Sequence, residues 1–106
     1  MGIADSVKTE IVRRILGVAT PARIILFGSG ATGTMTPDSD IDLLIVEDVP
    51  TNRIRESVRL RRVLDDLGWP VDVLVMDKAR FEETKNVFGG IAYPANKYGQ
   101  VLYEAT

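Results

Sequence analysis

Ile3, Val7, Ile11 and Ile15 recur every four residues, with Val12 and Leu16 beside them. That stripe predicts an amphipathic helix that buries one face and ends near Gly17. Apolar runs of another kind follow it. Residues 23–27 and 41–46 are short, nearly continuous and rich in β-branched side chains, which predicts two strands. The second run is apolar on both faces after Asp42 and is expected at the centre of a sheet covered on both sides. Helical spacing returns at Leu60, Val63, Leu64 and Leu67, predicting a helix that begins at Pro50-Thr51-Asn52 and stops at Gly68. A third strand over 71–76 leads to a third helical stretch over 78–86, with Asp77 as its cap. Gly89-Gly90 breaks that helix, and Val101-Leu102-Tyr103 predicts a short closing strand. The order α-β-β-α-β-α predicts an α/β domain in which helices pack on a mixed sheet.

Polar residues placed against this pattern carry the chemistry. Gly28-Ser29 ends the first strand, and ten residues later Asp40-Ile41-Asp42 opens the second. Strand alternation puts Asp40 and Asp42 on one face, roughly 6–7 Å apart between α-carbons. Their carboxylates can converge there on divalent cations about 3.5–4 Å apart. Asp72 interrupts the third apolar strand in the same manner. An unpaired carboxylate inside a buried run is costly, and a cation removes that cost. The amides after Gly28, with the Ser29 hydroxyl, can hold phosphate oxygens. Three strand-borne carboxylates and a glycine turn point to two-metal phosphoryl chemistry. The plainer alternatives are a tight turn at Gly28, solvated acids at Asp40 and Asp42, and an ion-paired Asp72.

Gly28-Ser29-Gly30-Ala31-Thr32-Gly33 also fits a dinucleotide fingerprint, with Glu47 where a ribose-binding acid would fall. That fit is spurious. Parallel neighbouring strands need a crossover of about a dozen residues or more, and the stretch from Gly33 to Ile41 is too short for a helix.

Composition narrows the chemistry further. The 106 residues make a single domain, 1–106, able to bury a core without staples. No cysteine is present, which excludes disulfides and thiolate sites. The absence of histidine excludes Ser-His-Asp hydrolysis and imidazole bases, leaving carboxylates as the catalytic groups. No apolar run approaches the roughly 20 residues of a membrane helix, and a cytoplasmic protein is expected. A net charge of −2 gives no reason to expect direct nucleic-acid binding. Arg55, Arg59 and Arg62 line one side of the second helix, either as a solvated face paired with Glu56, Asp65 and Asp66 or as a dock for an acidic partner or RNA. Tyr93, Tyr98 and Tyr103 are expected to pack the tail.

Taken together, Gly28-Ser29, the following ten residues, Asp40-Ile41-Asp42 and the later strand around Asp72 resemble the polymerase β-like nucleotidyltransferase superfamily, and within it the minimal single-domain members. The tail Gly99-Gln100-Val101-Leu102-Tyr103-Glu104 is similar to the way such proteins close. The resemblance implies transfer of a nucleoside monophosphate, AMP from ATP, to an acceptor hydroxyl. Asp40 and Asp42 would hold two Mg²⁺ ions, Asp72 would complete the catalytic metal's site, and Gly28 and Ser29 would hold the triphosphate. It also implies a HEPN-type partner, with the chain acting as antitoxin by adenylylating that toxin. Two other functions stand beside this one: neutralisation of the partner by binding alone, and nucleotidyl transfer to a small molecule such as an aminoglycoside. Many relatives carry arginine where this chain has Gly30 and Thr32. Arg53, Lys78 or a partner is then expected to supply the missing positive charge.

Overall fold

The computed structural model describes residues 3–36, 39–48 and 52–106. Along them run α1 (Asp5–Leu16), β1 (Arg23–Phe27), the short α2 (Ser29–Thr32), β2 (Ile41–Glu47), α3 (Arg53–Arg62), β3 (Val71–Asp77), α4 (Lys78–Thr84), α5 (Ala92–Tyr98) and β4 (Gln100–Glu104). The expectations for Pro37 and Asp38 in the turn, for Pro50-Thr51 at a helix start and for the first two residues lie outside the described residues.

The strands form one sheet in the order β3-β2-β1-β4. β1 is antiparallel to both β2 and β4, and β2 is parallel to β3. The expected mixed sheet is therefore present, with α3 as the crossover that the parallel pair requires. β1 and β2 are antiparallel, so residues 28–40 need only a turn and the one-turn α2. This is the physical reason the dinucleotide reading fails.

β2 lies at the centre, and Leu43, Leu44, Ile45 and Val46 are buried. One face of the sheet packs Ile24, Leu26, Ile41, Leu43 and Ile45 against Ile11 and Ile15 of α1 and Leu60 of α3. The other packs Ile25, Leu44, Val46 and Met76 against Phe81 of α4 and Ala92 and Ala95 of α5. Strand alternation assigns Asp42, in step with Leu44 and Val46, to this second face.

α3 ends at Arg62, short of the expected stop at Gly68. Beyond it Leu64, Asp65 and Leu67 donate to carbonyls three residues back, so the chain tightens out of α-geometry. Leu64 still reaches the core, which is what the apolar spacing reported. At the other end the Asn52 side chain accepts from Arg55 N at 3.0 Å and caps the helix. Asp77 caps α4 in the same way, accepting from Arg80 N at 2.7 Å. The helix α5 was not foreseen. Seven residues give too few turns for a periodic signal, and Pro94 hides the helix from a reading that treats proline as a breaker. In the first turn of a helix proline displaces no hydrogen bond.

The basic stripe divides. Arg59 pairs with Glu56 through Nε at 2.7 Å and Nη2 at 2.9 Å, and its Nη1 donates to Val18 O at 2.8 Å. Asp66, expected opposite that stripe, instead pairs with Arg14, which also donates to Val63 O at 3.1 Å and ties α1 to the turn after α3. The side chains of Arg55 and Arg62 have no ion pair among the described residues.

Candidate active site

Two register pairs build the site. Asp42 lies opposite Asp72 across the parallel β2–β3 pair and opposite Phe27 across the antiparallel β1–β2 pair. The carboxylates predicted from separate stretches of sequence thus meet on neighbouring strands, at the end of the sheet where β1 delivers Gly28. Ile41 N donates to Pro70 O at 2.8 Å and fastens the chain entering β3 to the start of β2 at this end.

Gly28 has φ 70° and ψ −151°, a region essentially reserved for glycine. A Cβ there would stand 2.5 Å from Asp42 Oδ2. The glycine is therefore needed twice, for the backbone and for the space that the Asp42 carboxylate occupies. α2 begins at Ser29, and the amides of Ser29 and Gly30 have no acceptor inside the helix. The Ser29 hydroxyl makes no hydrogen bond among the described residues. Thr32 N and Ala31 N close the turn on Gly28 O.

Burial pushes the Asp42 carboxyl up, and the charges of Asp72 and Asp40 push it further in the same direction. Asp42 therefore feels both of the other acids. The burial expected for them holds only in part: Asp42 is half-buried, whereas Asp40 and Asp72 are exposed. β3 is an edge strand with no neighbour to cover Asp72, so desolvation alone does not call for a cation there. Among the described residues no three acids are drawn together closely enough to constitute a metal site by themselves. The donors nonetheless fit Mg²⁺. They are carboxylate oxygens, and Mg²⁺ takes one or two of these while substrate phosphates complete its shell.

Of the two cations expected to offset the uncharged loop, Lys78 lies elsewhere. Lys78 follows Asp77, five residues along β3 from Asp72 and so roughly 16 Å away. Arg53 opens α3 after β2 has crossed the sheet, and lines a groove with Ile54, Ser57, Leu74 and Val75. Lys78 therefore stands away from a phosphate at Gly28, whereas Arg53 borders Leu74, two residues along β3 from Asp72.

At that far end of β2 stands a pair for which the sequence holds no signal beyond an acid closing a strand. Glu47 Oε1 is buried without a hydrogen-bond donor. Burial, and then the neighbouring Glu56 carboxylate, push the Glu47 carboxyl up to about 7, while Arg59 holds Glu56 down. A proton on Glu47 satisfies both acids. The folded chain thus holds this proton more tightly than the unfolded chain, so stability falls as pH rises from 4.5 to about 7 and is level above it. Glu47→Gln, whose amide donates at every pH, is expected to flatten that slope in thermal melts. Above pH 7 it should raise stability by about 1–2 kcal/mol, a figure reduced for the water that reaches the pair.

Comparison with known proteins agrees with this architecture. Residues 6–93 match the family model described as "Nucleotidyltransferase domain". Curated proteins yield no match. Among solved structures, a toxin–antitoxin with AMP-PNP superimposes with TM-score 0.61 at 22% identity, covering 92% of this chain and 73% of that one. A presumed nucleotidyltransferase from Sulfolobus solfataricus gives 0.64 at 20% identity, covering 93% and 78%. The toxin–antitoxin MntA-HpeT, in a mutant with two aspartates two positions apart changed to glutamate, gives 0.58 at 18%, covering 92% and 73%. At these identities the likeness establishes the fold. The family match covers most of the chain and embraces Gly28, Ser29, Asp40, Asp42 and Asp72, and by it the chain belongs to the nucleotidyltransferase domain family.

Proposed function

We propose that this chain transfers AMP from ATP, with Mg²⁺, onto a hydroxyl of a protein partner, a HEPN-type toxin, and so acts as an antitoxin. The observation that carries the reading is the register pairing of Asp42 with Asp72 beside a glycine whose missing side chain makes room for the Asp42 carboxylate. In the transfer, the acceptor oxygen forms a bond to the α-phosphorus, the bond from that phosphorus to the pyrophosphate oxygen breaks, and the hydroxyl proton leaves to solvent or to Asp72. Bound Mg²⁺ would supply charge neutralisation of the phosphates and of the reacting oxygens. Asp40 and Asp42 would hold it, and Asp72 would complete the second ion's site on the acceptor side. The Ser29 hydroxyl, which makes no hydrogen bond among the described residues, would bind a phosphate oxygen.

A toxin–antitoxin neighbour with AMP-PNP, and another whose mutated aspartates share the spacing of Asp40 and Asp42, support the nucleotide and the class of partner. The uncharged loop from Gly30 to Thr32 favours a second reading, neutralisation by binding alone. Incubation of the chain with radiolabelled ATP, Mg²⁺ and its partner separates the two. Asp72→Asn is expected to keep ATP affinity within about threefold while turnover falls by roughly a thousandfold or more, because the lost contact is made chiefly in the transition state. A wild-type chain that binds its partner and labels nothing would leave the binding-only function.

A further inference from the structure

We infer that the open edge of β3 receives the acceptor: an extended segment of the partner protein adds to the sheet beside β3 as a further strand and so carries its hydroxyl to Asp72. The inference rests on the nucleotidyltransferase reading and adds to it the side and the surface by which the partner enters. Three observations carry it. First, the register sets Phe27, Asp42 and Asp72 in one row across β1, β2 and β3. Gly28 and Ser29 follow Phe27, so a triphosphate held by them stands at the β1 end of that row. An in-line displacement brings the attacking oxygen from the side opposite the leaving pyrophosphate, which here is the side beyond Asp72. Second, that side is open. β3 ends the sheet, and among the described residues none outside β2 hydrogen-bonds the backbone of residues 71–75. Third, the edge is flanked by side chains without partners. Leu74 pairs in register with the fully buried Leu44 and is itself 43% exposed, while Ile54 of α3, in the same groove, is 79% exposed. Arg53 lines that groove too and has no ion pair among the described residues.

Alternation along the added strand turns this surface into a sequence pattern. The residue level with Asp72 has its side chain on the sheet face that Asp42 and Asp72 share, and it bears the hydroxyl. The residue two positions along returns to that face, level with Leu74, and is apolar. The residue three positions along points to the α3 face, level with Val75, where Arg53 favours an acid. Pairing of the two backbones supplies affinity, and these side chains supply selection. A nucleic acid has no backbone that matches a strand edge, and one arginine among apolar side chains is a poor track for phosphates, so the occupant is a protein segment.

Two synthetic peptides of about eight residues test this, one with the core Tyr-Val-Leu-Glu and one with the reverse, Glu-Leu-Val-Tyr, because a strand adds in either direction. In NMR spectra of the isotope-labelled full chain with Mg²⁺, one of them is expected to shift the amides of residues 71–75 and to slow their hydrogen exchange. Radiolabelled ATP should then mark its tyrosine. Arg53→Glu should weaken that peptide by about tenfold, the loss of one charge-assisted contact, and a lysine in place of the peptide's glutamate should restore affinity to within about threefold. Mg²⁺–ATP affinity should stay within about threefold in the same variant, read by calorimetry. Amides of β3 left unmoved by both peptides, or moved by a single-stranded RNA instead, overturn the inference and leave the nucleotidyltransferase reading intact. So do a lysine peptide that restores nothing, an equal loss of ATP affinity in Arg53→Glu, and a docked peptide that stays unlabelled while the partner protein takes label. A wild-type chain that binds no Mg²⁺–ATP and labels neither overturns both.

Discussion

Asp42→Asn is expected to lower transfer by roughly a thousandfold or more and yet to melt no lower than the metal-free wild type. The two halves of this expectation have one cause. Asp42 is half-buried and faces Asp72 across the strand pair, so burial and the like charges of Asp72 and Asp40 raise its carboxyl. An ionised Asp42 therefore works against the fold at neutral pH, and the isosteric amide relieves it. The gain should be small, because water reaches the carboxylate. What Asn cannot do is balance a divalent cation and the phosphates beside it. Scanning calorimetry in the presence of Mg²⁺ and ATP checks the account: the wild type should gain stability from the ligands and Asp42→Asn should gain almost none. A variant that unfolds well below the metal-free wild type would mean that Asp42 serves the fold, and the metal assignment would go with it.

The sequence disclosed those acids for a physical reason. A carboxylate inside a β-branched run contradicts its neighbours, and a contradiction between local pattern and side chain is where chemistry is expected. The same consistency made the first three strands readable, because a strand buried on both faces, such as β2, has to be apolar at nearly every position. What stayed hidden depends on tertiary placement. Burial of Asp72 was overstated because nothing in residues 71–77 tells an edge strand from a central one. Lys78 was reasonable in sequence and misplaced in space, since proximity to the motif along the chain says little once β3 has carried the chain across the sheet. Glu47 and Glu56 make a pair only because α3 folds back over the sheet, and α5 is too short to announce itself.

Gly28→Ala is the substitution in which sequence, backbone and chemistry meet, and its expected effect is a double loss. The backbone at φ 70° and ψ −151° admits a side chain only with strain, about 1–3 kcal/mol. The new methyl group would also stand 2.5 Å from Asp42 Oδ2, and the carboxylate, as the softer party, has to swing away. Transfer should therefore fall by roughly a hundredfold or more, because a ligand displaced by about an ångström no longer serves the transition state. Gly33→Ala separates the two contributions. Gly33 also has positive φ, 77°, but a Cβ there meets nothing within 4 Å. That variant should be destabilised by a comparable amount and keep nearly all of its transfer activity. If instead Gly28→Ala loses no more activity than Gly33→Ala at matched stability, the contact between Gly28 and Asp42 has no part in the chemistry, and the glycine is there for the turn alone.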